Sequence, residues 1–443
     1  MKMYDKKKKV VVVGGGLAGP VCALYMAKRG YNVNLYEYRH DPREMGYVSG
    51  RSINLAVSHR ARKALRDLEL EEVILKFGIP MNGRFLHELN GKHKSVIYDT
   101  RMNECIYSVP RNILNEKLLD ATKQYPNLEL FFNHKLINAN VDRGLLTFLQ
   151  TNINSLVEVE ADLIIGADGA YSTFRKSFLH KPMFDFSQTY INHGYIELTI
   201  TPELGKGMKS NHLHIWPRNN FMMIALPNYD SSWTLTLFMP FPNFKMLHCE
   251  DKVLEFFQDF FPDAIPLIGE KQLVTDFFRA TPSALVSIKC SKYHSSGKAL
   301  LIGDAAHAMV PFYGQGMNAG FEDCTVLNLI LDECNDNIPL ALSTFSIRRK
   351  DDAHAICDLA LYNYVEMRDL VTKPSYRIRK FVDDLLHYML PDVWIPLYNS
   401  ISFSQMSYRK CVSNRHWQDK VIIGIILSFI VLIVLMVIFI III

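Results

Sequence analysis

The chain has 443 residues, 49% of them hydrophobic, and a formal net charge of +4. A chain of this length can bury one large core or two, so we expect two or three domains and a mostly soluble body. The small charge and the scattered Lys and Arg residues argue against a nucleic-acid-binding protein. The cysteines lack Cys-x-x-Cys spacing and the histidines form no HExxH pair, so we expect reduced thiols and no metal.

A glycine-rich turn follows the first apolar run. The motif Gly14-x-Gly16-x-x-Gly19 stands between the valines 10–13, which we expect to form a buried strand, and the stretch 21–28, which we expect to be a helix. In such a turn the backbone comes close to a pyrophosphate, whose charge is met by free amides and by the helix dipole. The motif therefore predicts a nucleotide-binding loop.

Glu37 ends the second predicted strand, residues 33–36. It follows the last glycine of the motif by roughly 20 residues, the spacing at which a carboxylate reaches the adenosine ribose hydroxyls. Strand, turn, helix and acid together favour a dinucleotide over a chance glycine pattern.

Asn90 and Gly91 form a strong hairpin-turn dipeptide between two short apolar stretches. Counting outward from Gly91 places Arg84 opposite Tyr98 on one face, and a one-residue slip leaves them diagonal neighbours. A guanidinium and a phenol at this distance can clamp a carboxylate, Arg with two parallel donors and Tyr with a third. A solvated Arg beside a packing Tyr is the alternative that the residues leave open.

The middle of the chain changes to short stretches that alternate at period two or are rich in aromatic and branched residues. They are residues 190–199, 212–216, 221–226 and 233–238. Turn residues join them, so we expect an antiparallel sheet that forms a second domain. The substrate should lie between this sheet and the nucleotide.

A second strand-to-helix turn begins after the buried run 299–302. Asp304 can bind sugar hydroxyls, and residues 311–318 open a new helix whose N-terminus would stabilise an anionic flavin ring. An ordinary capped turn is the alternative. His307, inside this segment, is a candidate catalytic residue, although packing or a local hydrogen bond explains it equally well.

After residue 342, longer amphipathic stretches predict a helical region that runs toward a C-terminal apolar segment. Residues 421–443 carry no charge and give roughly 34 Å of helix, enough to span a bilayer. The basic residues just before it place the folded body on the cytosolic side. A buried hairpin is the alternative to this tail anchor.

The chain resembles the single-component aromatic flavoprotein monooxygenases in three segments. These are residues 14–19, 166–173 and 303–318. More narrowly, it resembles the members that hydroxylate kynurenine in residues 50–56, 312–324 and 362–368. The resemblance implies an α/β fold: a Rossmann-type FAD-binding domain, an inserted antiparallel β-sheet substrate domain, a C-terminal helical cap and a C-terminal transmembrane helix.

The same resemblance implies FAD as cofactor and L-kynurenine, O2 and NADPH as substrates, with 3-hydroxykynurenine formed by way of a flavin hydroperoxide in tryptophan degradation. No side chain then acts as acid, base or nucleophile. The substrate-binding residues it implies are Arg84, Tyr98, Asn363, Tyr398, Glu366 and Phe312, with Asn54 a weaker candidate. The FAD-binding residues are Gly14, Gly16, Ala18, Gly19, Glu37, Arg39, Ala56, Arg111, Leu136, Asp168, Thr173, Asp304, Pro311, Gly316, Met317 and Asn318.

We expect the chain to divide into seven segments. These are FAD-binding parts at 7–80, 105–183 and 285–340, a substrate-side hairpin at 81–104, the substrate sheet at 184–284, a helical region at 341–420 and the anchor at 421–443. The resemblance implies the mitochondrial outer membrane, and the sequence leaves the oligomeric state open. Two other functions remain open: hydroxylation of a phenolic acid, and a membrane-tethered flavin-binding scaffold without turnover.

Overall fold

The computed structural model describes residues 8–44, 54–99, 101, 102 and 104–442. Outside this part lie residues 7 and 45–53 of the first predicted segment, which include residues 50–53 of one predicted motif. Residues 100 and 103 of the predicted hairpin and residue 443 of the predicted anchor also lie outside it. The strands are β1 (Lys9–Val13), β2 (Asn32–Tyr36), β3 (Asn54–Val57), β4 (Ile79–Met81), β5 (Gly83–His87), β6 (His93–Ile97), β7 (Ile106–Pro110), β8 (Leu128–Phe131), β9 (His134–Asn140), β10 (Leu145–Gln150), β11 (Ser155–Glu160), β12 (Leu163–Gly166), β13 (Phe186–Ile200), β14 (His212–Arg218), β15 (Phe221–Pro227), β16 (Trp233–Pro240), β17 (Ser283–Cys290), β18 (His294–Ser295) and β19 (Ala299–Leu301). The helices are α1 (Ala18–Lys28), α2 (His59–Asp67), α3 (Glu71–Leu75), α4 (Arg111–Ala121), α5 (Thr173–Lys176), α6 (Pro202–Gly205), α7 (Phe241–Met246), α8 (Glu250–Phe260), α9 (Ile265–Ile268), α10 (Glu270–Arg279), α11 (Asp304–His307), α12 (Gly316–Glu333), α13 (Ile338–Arg368), α14 (Pro374–Met389), α15 (Leu397–Ser402) and α16 (Tyr408–Ile442).

The first large sheet has the order β18-β19-β12-β1-β2-β8, and its pairs are parallel except at β18. Its central strand β1 is an unbroken apolar run because both faces of a parallel sheet are covered. The predicted strand–turn–helix unit is confirmed: β1 ends at Val13, and α1 begins at Ala18. The glycine turn therefore lies at the carboxyl edge of the sheet, where nucleotides bind in such folds.

The second large sheet has the order β17-β13-β16-β15-β14-β5-β6. The four strands that the period-two pattern predicted are its centre, and the pairs are antiparallel except that β5 runs parallel to β14. The predicted hairpin therefore continues this sheet. The expected boundary between the substrate sheet and the third FAD-binding part lies at residues 284 and 285. Strand β17 spans this boundary and pairs with β13. Two smaller sheets, β11-β10-β9 and β3-β7-β4, complete the body.

The two faces of the seven-stranded sheet belong to different hydrophobic cores. Residues such as Leu235 and Leu237 point toward a core that contains Phe257 of α8 and Leu273 of α10. Neighbouring positions such as Phe238 point the other way, toward a core formed with α13. This second face borders the first sheet and carries Arg84.

The hairpin turn is centred one residue earlier than predicted, so each cross-strand partner is shifted by two residues. Glu88 donates its backbone N–H to the Lys92 carbonyl at 2.9 Å, and Arg84 pairs with Val96. The turn is therefore centred on Asn90 instead of Gly91, and the expected direct opposition of Arg84 and Tyr98 is wrong. Tyr98 lies two residues beyond Val96 on the same side, the diagonal arrangement that a shifted register predicts.

A buried ionic cluster joins the long helices. Arg349 of α13 contacts Asp323 of α12 through Nε at 2.6 Å and Asp352 at 2.7 Å. Glu322, which precedes Asp323 in α12, pairs both with Arg349 and with Arg60 of α2. Burial works against the charge, but the surrounding carboxylates raise the pKa of Arg349 well above its usual value. The cluster is therefore a brace of buried ion pairs between three helices.

Helix α16 runs without interruption for 35 residues, roughly 52 Å at about 1.5 Å per residue. Its first residue, Tyr408, is buried against the Arg60 guanidinium, which lies 3.9 Å from the ring centroid, and donates a hydrogen bond to Gln315. In the part of the chain that the structure describes, α16 is the one helix long and apolar enough to cross a membrane. The helical C-terminal region and apolar tail that the sequence predicts are present.

We predict that Arg349→Leu destabilises the body by about 3–5 kcal/mol, because it leaves several buried carboxylates uncompensated. The midpoint of thermal unfolding, followed by circular dichroism, measures this change. Arg348→Leu is the matched control, since that side chain is half exposed and pairs with the exposed Glu333, so its midpoint should barely move. Equal midpoints for the two variants would contradict the role of the cluster.

Candidate active site

One large cavity, about 670 Å³, lies between the two large sheets. It begins at the glycine turn after β1 and ends below Phe238 of the seven-stranded sheet and Asn363 of α13. Polar residues and backbone amides line the first end, and mainly apolar side chains line the second. The cavity therefore joins the predicted nucleotide loop to the predicted substrate residues.

The three glycines of the turn have three different structural roles. Gly14 has φ +110°, and a Cβ there would lie 2.4 Å from the Ala167 carbonyl oxygen. A Cβ on Gly19 would lie 1.9 Å from the Gly14 oxygen, so Gly19 permits close packing of α1 on β1. A Cβ on Gly16 would meet no atom within 4 Å and would occupy the space that a pyrophosphate needs. The turn thus fits the dinucleotide cofactor that the sequence implies.

Glu37 is held in place by backbone donors at the end of β2. Its carboxylate accepts hydrogen bonds from the Gly15 N–H at 2.6 Å and from the Arg39 N–H at 3.0 Å. Glu37 and Arg39 line the cavity, and Arg39 is exposed. A carboxylate positioned in this way can accept hydrogen bonds from ribose hydroxyls, as expected.

Asp168 and Thr173 line the cavity next to the glycine turn. The Asp168 carboxylate accepts hydrogen bonds from the Ser172 hydroxyl and from the Phe174 N–H at 2.9 Å, so it caps the short helix α5. Burial raises the pKa of Asp168. Its side chain therefore shapes the cavity wall, and Thr173 follows it at the start of α5.

Asp304 opens helix α11 directly after Gly303, whose φ is +57°. Its carboxyl faces the cavity and is accessible there, and partial desolvation by the surrounding protein raises its pKa. Arg111, at the start of α4, also lines the cavity, and its positive charge favours the ionised form of Asp304. The two residues give this part of the cavity an acceptor and a donor.

Helix α12 begins with its N-terminus at the cavity. Gly316 and Met317 of its first turn and Pro311 before it line the wall. Asn318 has a different role: its amide donates to the carbonyls of Ala56 at 2.8 Å and Gly314 at 2.6 Å, and it is fully buried. It braces the loop that presents the helix N-terminus.

Most of the predicted cofactor residues are thus brought together. The cavity is lined by Gly14, Gly16, Ala18, Glu37, Arg39, Ala56, Arg111, Leu136, Asp168, Thr173, Asp304, Pro311, Gly316 and Met317. Gly19 and Asn318 lie behind the wall and support it. Asn54 also borders the cavity, but its amide already donates to Ser108, Pro227 and Asn228.

At the substrate end, Arg84 and Tyr398 form the wall between the main cavity and a smaller one of about 80 Å³. The Arg84 guanidinium lies 4.7 Å from the Tyr398 ring centroid and 3.2 Å from a Glu366 oxygen. Tyr98 stacks on Tyr398 with centroids 4.8 Å apart. Tyr98 and Glu366 border the smaller cavity, so the wall separates them from the main one.

Two buried donors, one in this wall and one behind it, are unused. Within the described residues, Arg84 Nε and the Tyr98 hydroxyl have no hydrogen-bond partner. Burial raises the pKa of Tyr98 well above its usual value, so the phenol remains a donor. Because buried polar groups are normally paired, both atoms indicate a missing acceptor.

Asn363 and Phe312 close the substrate end from the side of α13. The Asn363 amide donates to the Phe312 carbonyl at 2.7 Å and to the Met367 sulfur at 3.2 Å. Phe312 stacks on Tyr364 with centroids 3.9 Å apart. Both amide protons of Asn363 are thereby used, and its oxygen remains as an acceptor at the cavity.

Sequence reasoning missed the apolar lining of this end. Tyr313 borders both cavities, and Met309 and Met367 border the main one. The remaining lining residues alternate along three neighbouring strands and are Leu213, Ile224, Leu226, Thr236 and Phe238. The period-two pattern that predicted the strands also marks this face, so it contained the signal.

His307 belongs to the ionic cluster and does not border the cavity. Its Nε2 lies 2.6 Å from an Asp323 oxygen that also accepts the Gly303 N–H at 2.8 Å. Both His307 and Asp323 are buried. The packing interpretation of His307 therefore agrees with the structure better than a catalytic one.

Comparison with known proteins agrees with this geometry. The family described as "FAD binding domain" matches residues 7–360. The kynurenine 3-monooxygenase of Anopheles gambiae is 56% identical over 95% of this chain and 87% of its own length. That of Sus scrofa is 46% identical over 94% of this chain and 88% of its own.

The fold also matches solved structures. A 2-methyl-3-hydroxypyridine-5-carboxylic acid oxygenase superposes with a TM-score of 0.67 at 22% identity, over 84% of this chain and 95% of the other. PqsL of Pseudomonas aeruginosa, solved with 2-aminobenzoylacetate, gives 0.68 at 16%, over 82% and 97%. The fold and the cavity define a FAD-dependent flavoprotein monooxygenase. Within that class, the relatives place the chain in the kynurenine 3-monooxygenase family, which confirms the resemblance stated above.

We predict that Gly16→Ala yields folded protein with little bound FAD. The new methyl group meets no protein atom but occupies the space that the pyrophosphate needs. Gly207→Ala is the matched control, because its methyl group also meets no atom and the residue lies far from the cavity. The ratio of flavin to protein absorbance measures the effect, and normal flavin content in Gly16→Ala would contradict it.

Proposed function

We propose that the protein hydroxylates L-kynurenine at ring carbon 3, using O2 and NADPH and releasing 3-hydroxykynurenine, water and NADP⁺. The observation that carries this proposal is the pair of unused buried donors on Arg84, which lines the far end of the cavity that fits FAD, and on Tyr98, which borders the smaller cavity behind it. The names of the relatives support the choice of substrate. Bound FAD supplies the chemistry of oxygen activation and ring hydroxylation.

Arg84 and Tyr98 would bind the substrate carboxylate. Arg84 is buried, and although burial works against its charge, Glu366 and nearby phenols keep its pKa raised. A cation in a site of low polarity forms strong hydrogen bonds to a carboxylate. The carboxylate thereby provides the acceptor that Arg84 Nε and the Tyr98 hydroxyl lack.

Glu366 would bind the other end of the amino acid. Its Oε1 accepts a hydrogen bond from Tyr376 at 3.0 Å and lies 3.2 Å from Arg84 Nη1. When the substrate carboxylate pairs with Arg84, the Glu366 carboxylate is free to pair with the α-ammonium group of the substrate. Arg84 and Glu366 together match a zwitterion better than a simple acid, which favours an amino acid over a phenolic acid.

The apolar lining would position the aromatic ring and exclude water. Phe238 and Phe312 lie with centroids 4.9 Å apart at the edge of the cavity, and Met367 lies beside them. The Asn363 oxygen can accept a hydrogen bond from the aniline N–H. Orientation and water exclusion are what these residues add to the reaction, and none of them needs to transfer a proton.

We predict that Arg84→Ala lowers kcat/KM for kynurenine by about 100-fold, which corresponds to about 3 kcal/mol for two charge-assisted hydrogen bonds. FAD content should not change, because Arg84 lies at the opposite end of the cavity from the glycine turn. Arg377→Ala is the matched control, since this arginine pairs with Glu88 at the surface. Joint loss of flavin and activity in Arg84→Ala would instead make Arg84 a structural residue.

Stopped-flow reduction of the FAD-loaded protein by NADPH tests the substrate itself. Kynurenine should accelerate the loss of flavin absorbance and be hydroxylated in the presence of O2. If a phenolic acid accelerates reduction while kynurenine has no effect, the enzyme is a hydroxylase of another substrate. If no aromatic compound stimulates NADPH oxidation, the protein is a flavin-binding scaffold.

We further propose that α16 anchors the protein in the mitochondrial outer membrane with its body in the cytosol. A second surface supports membrane contact: helix α14 exposes the large apolar residues Ile378, Phe381, Leu385 and Tyr388 on one face, beside the anchor. Arg379 of α14 pairs with Asp419 of α16 at 2.5 Å, which keeps the two helices together. The apolar face of α14 would then lie in the interfacial layer of the bilayer.

We predict that a chain ending at Lys420 is released from membranes and keeps its activity in detergent-free buffer. If the apolar face of α14 makes the released protein self-associate, mild detergent should keep it dispersed and active. The segment 408–420 is retained in this variant and is docked through the buried Tyr408, Cys411 and Gln418. A chain ending at Ser407 loses these contacts and should lose thermal stability. Sedimentation and flavin-release temperature measure both effects. Inactivity of folded 1–420 protein would show that the membrane segment contributes to the site.

A further inference from the structure

Four histidines lie on the face of the seven-stranded sheet that points away from the FAD and substrate cavity. His87 of β5 and His93 of β6 form a cross-strand pair, and His212 and His214 lie on the neighbouring strand β14. Asp263, in the turn after α8, reaches the same place. Suitable atoms of His87, His93 and Asp263 lie within 4.8 Å of one another.

The hydrogen bonds of His214 determine which nitrogen of His87 carries a proton. His214 Nε2 lies 3.1 Å from the Lys209 carbonyl, which can only accept, so Nε2 must donate. His214 is buried, and within the described residues its ring contacts no carboxylate, so it is neutral and its Nδ1 accepts. His87 Nε2, which lies 2.8 Å from that Nδ1, must therefore donate.

A neutral His87 would then present the lone pair of its Nδ1 to Asp263 Oδ2. The two atoms lie 2.6 Å apart, a distance that requires either a proton on Nδ1 or a cation bound to both atoms. Asp263 is held in position by the Trp216 indole, which donates to its two oxygens at 3.1 and 3.0 Å. His93 Nε2 lies 3.8 Å from the same Oδ2 and, unlike His87, is well exposed to solvent.

We propose that His87 Nδ1, His93 Nε2 and Asp263 Oδ2 bind a divalent transition-metal ion of the zinc type, with water as the fourth ligand. Bonds of about 2.1 Å at tetrahedral angles separate ligand atoms by roughly 3.4 Å. The His93–Asp263 distance is already close to this value, and the His87–Asp263 distance must open by less than about 1 Å. The water is accessible because His93 lies at the surface.

The surroundings of His87 match those of a metal-ligating histidine. Its Nε2 donates to His214 Nδ1, and His214 Nε2 donates to the Lys209 carbonyl. Such a chain of hydrogen bonds fixes the tautomer of His87 and raises the basicity of its Nδ1, the proposed ligand atom. The ion would join β5, β6 and the turn after α8. Because β5 also carries Arg84, it would stabilise the hairpin on which carboxylate binding depends, without touching the cavity.

The test is metal binding to the FAD-loaded, untagged full-length protein in detergent after treatment with a chelator. Zn²⁺ should bind with one-to-one stoichiometry in competition with a chromophoric chelator and should raise the Tm. Co²⁺ should give the strong visible absorption of a tetrahedral site. His93→Gln should weaken Zn²⁺ binding by about tenfold or more and abolish both the Tm increase and the tetrahedral spectrum.

His212→Gln is the matched control, because His212 lies on the same face and contacts Ser95 instead of the ligand atoms. It should bind Zn²⁺ as the wild-type protein does. Asp263→Asn provides a second variant if His93→Gln fails to fold, and it too should lose the tetrahedral Co²⁺ spectrum. The proposal is overturned if the wild-type protein binds no ion at one-to-one stoichiometry, or if folded His93→Gln and Asp263→Asn bind as tightly as wild type. In that case the His87–Asp263 contact is a protonated ion pair.

Discussion

The buried ion pair between Arg349 and Asp323 fixes the two ends of the cavity relative to each other. Asp323 accepts the Gly303 N–H and so holds the turn that presents Asp304. Arg349 lies on α13, the helix that carries Asn363 and Glu366 at the substrate end. Two charges buried this deeply are stable only with a complete set of partners, so the cluster tolerates little change in helix position.

The same cluster explains why α13 can serve as a wall of the substrate end. Arg60 and Glu322 extend it to α2, and Tyr408 covers the Arg60 guanidinium from the side of α16. The polar brace is therefore separate from the lining of the cavity, which is apolar where the aromatic ring of a substrate would lie. Orientation comes from the wall formed by Arg84 and Tyr398, and rigidity comes from the brace behind it.

Local signals made the cofactor end predictable. The glycine turn and Glu37 belong to one strand–turn–helix–strand unit, so their spacing alone indicates their roles. The seven-stranded sheet was predictable from its alternation, but the hairpin register was not, because Asn90-Gly91 allows turns centred on either residue and the pairing with β14 decides between them. Asn318 shows a further limit: the motif does not reveal that its side chain holds the neighbouring loop.

Non-local contacts were the part that the sequence could not reveal. The members of the ionic cluster, Arg60, Glu322 and Arg349, lie far apart in the chain and resemble ordinary helix-surface charges. The histidine and aspartate cluster has the same character. His87 and His93 are brought together by a hairpin and Asp263 by a distant turn. The expected absence of a metal rested on local motifs, the Cys-x-x-Cys and HExxH spacings, which cannot reveal such a cluster.

The continuity of α16 has a mechanical consequence. Because no loop separates the docked residues near Tyr408 from the apolar half of the helix, the body cannot swivel freely on its tether. In a bilayer, the orientation of the helix would determine the orientation of the whole body. The opening of the cavity would therefore keep a fixed distance and direction relative to the membrane surface. Small molecules would then enter the cavity from a thin layer of solution next to the membrane.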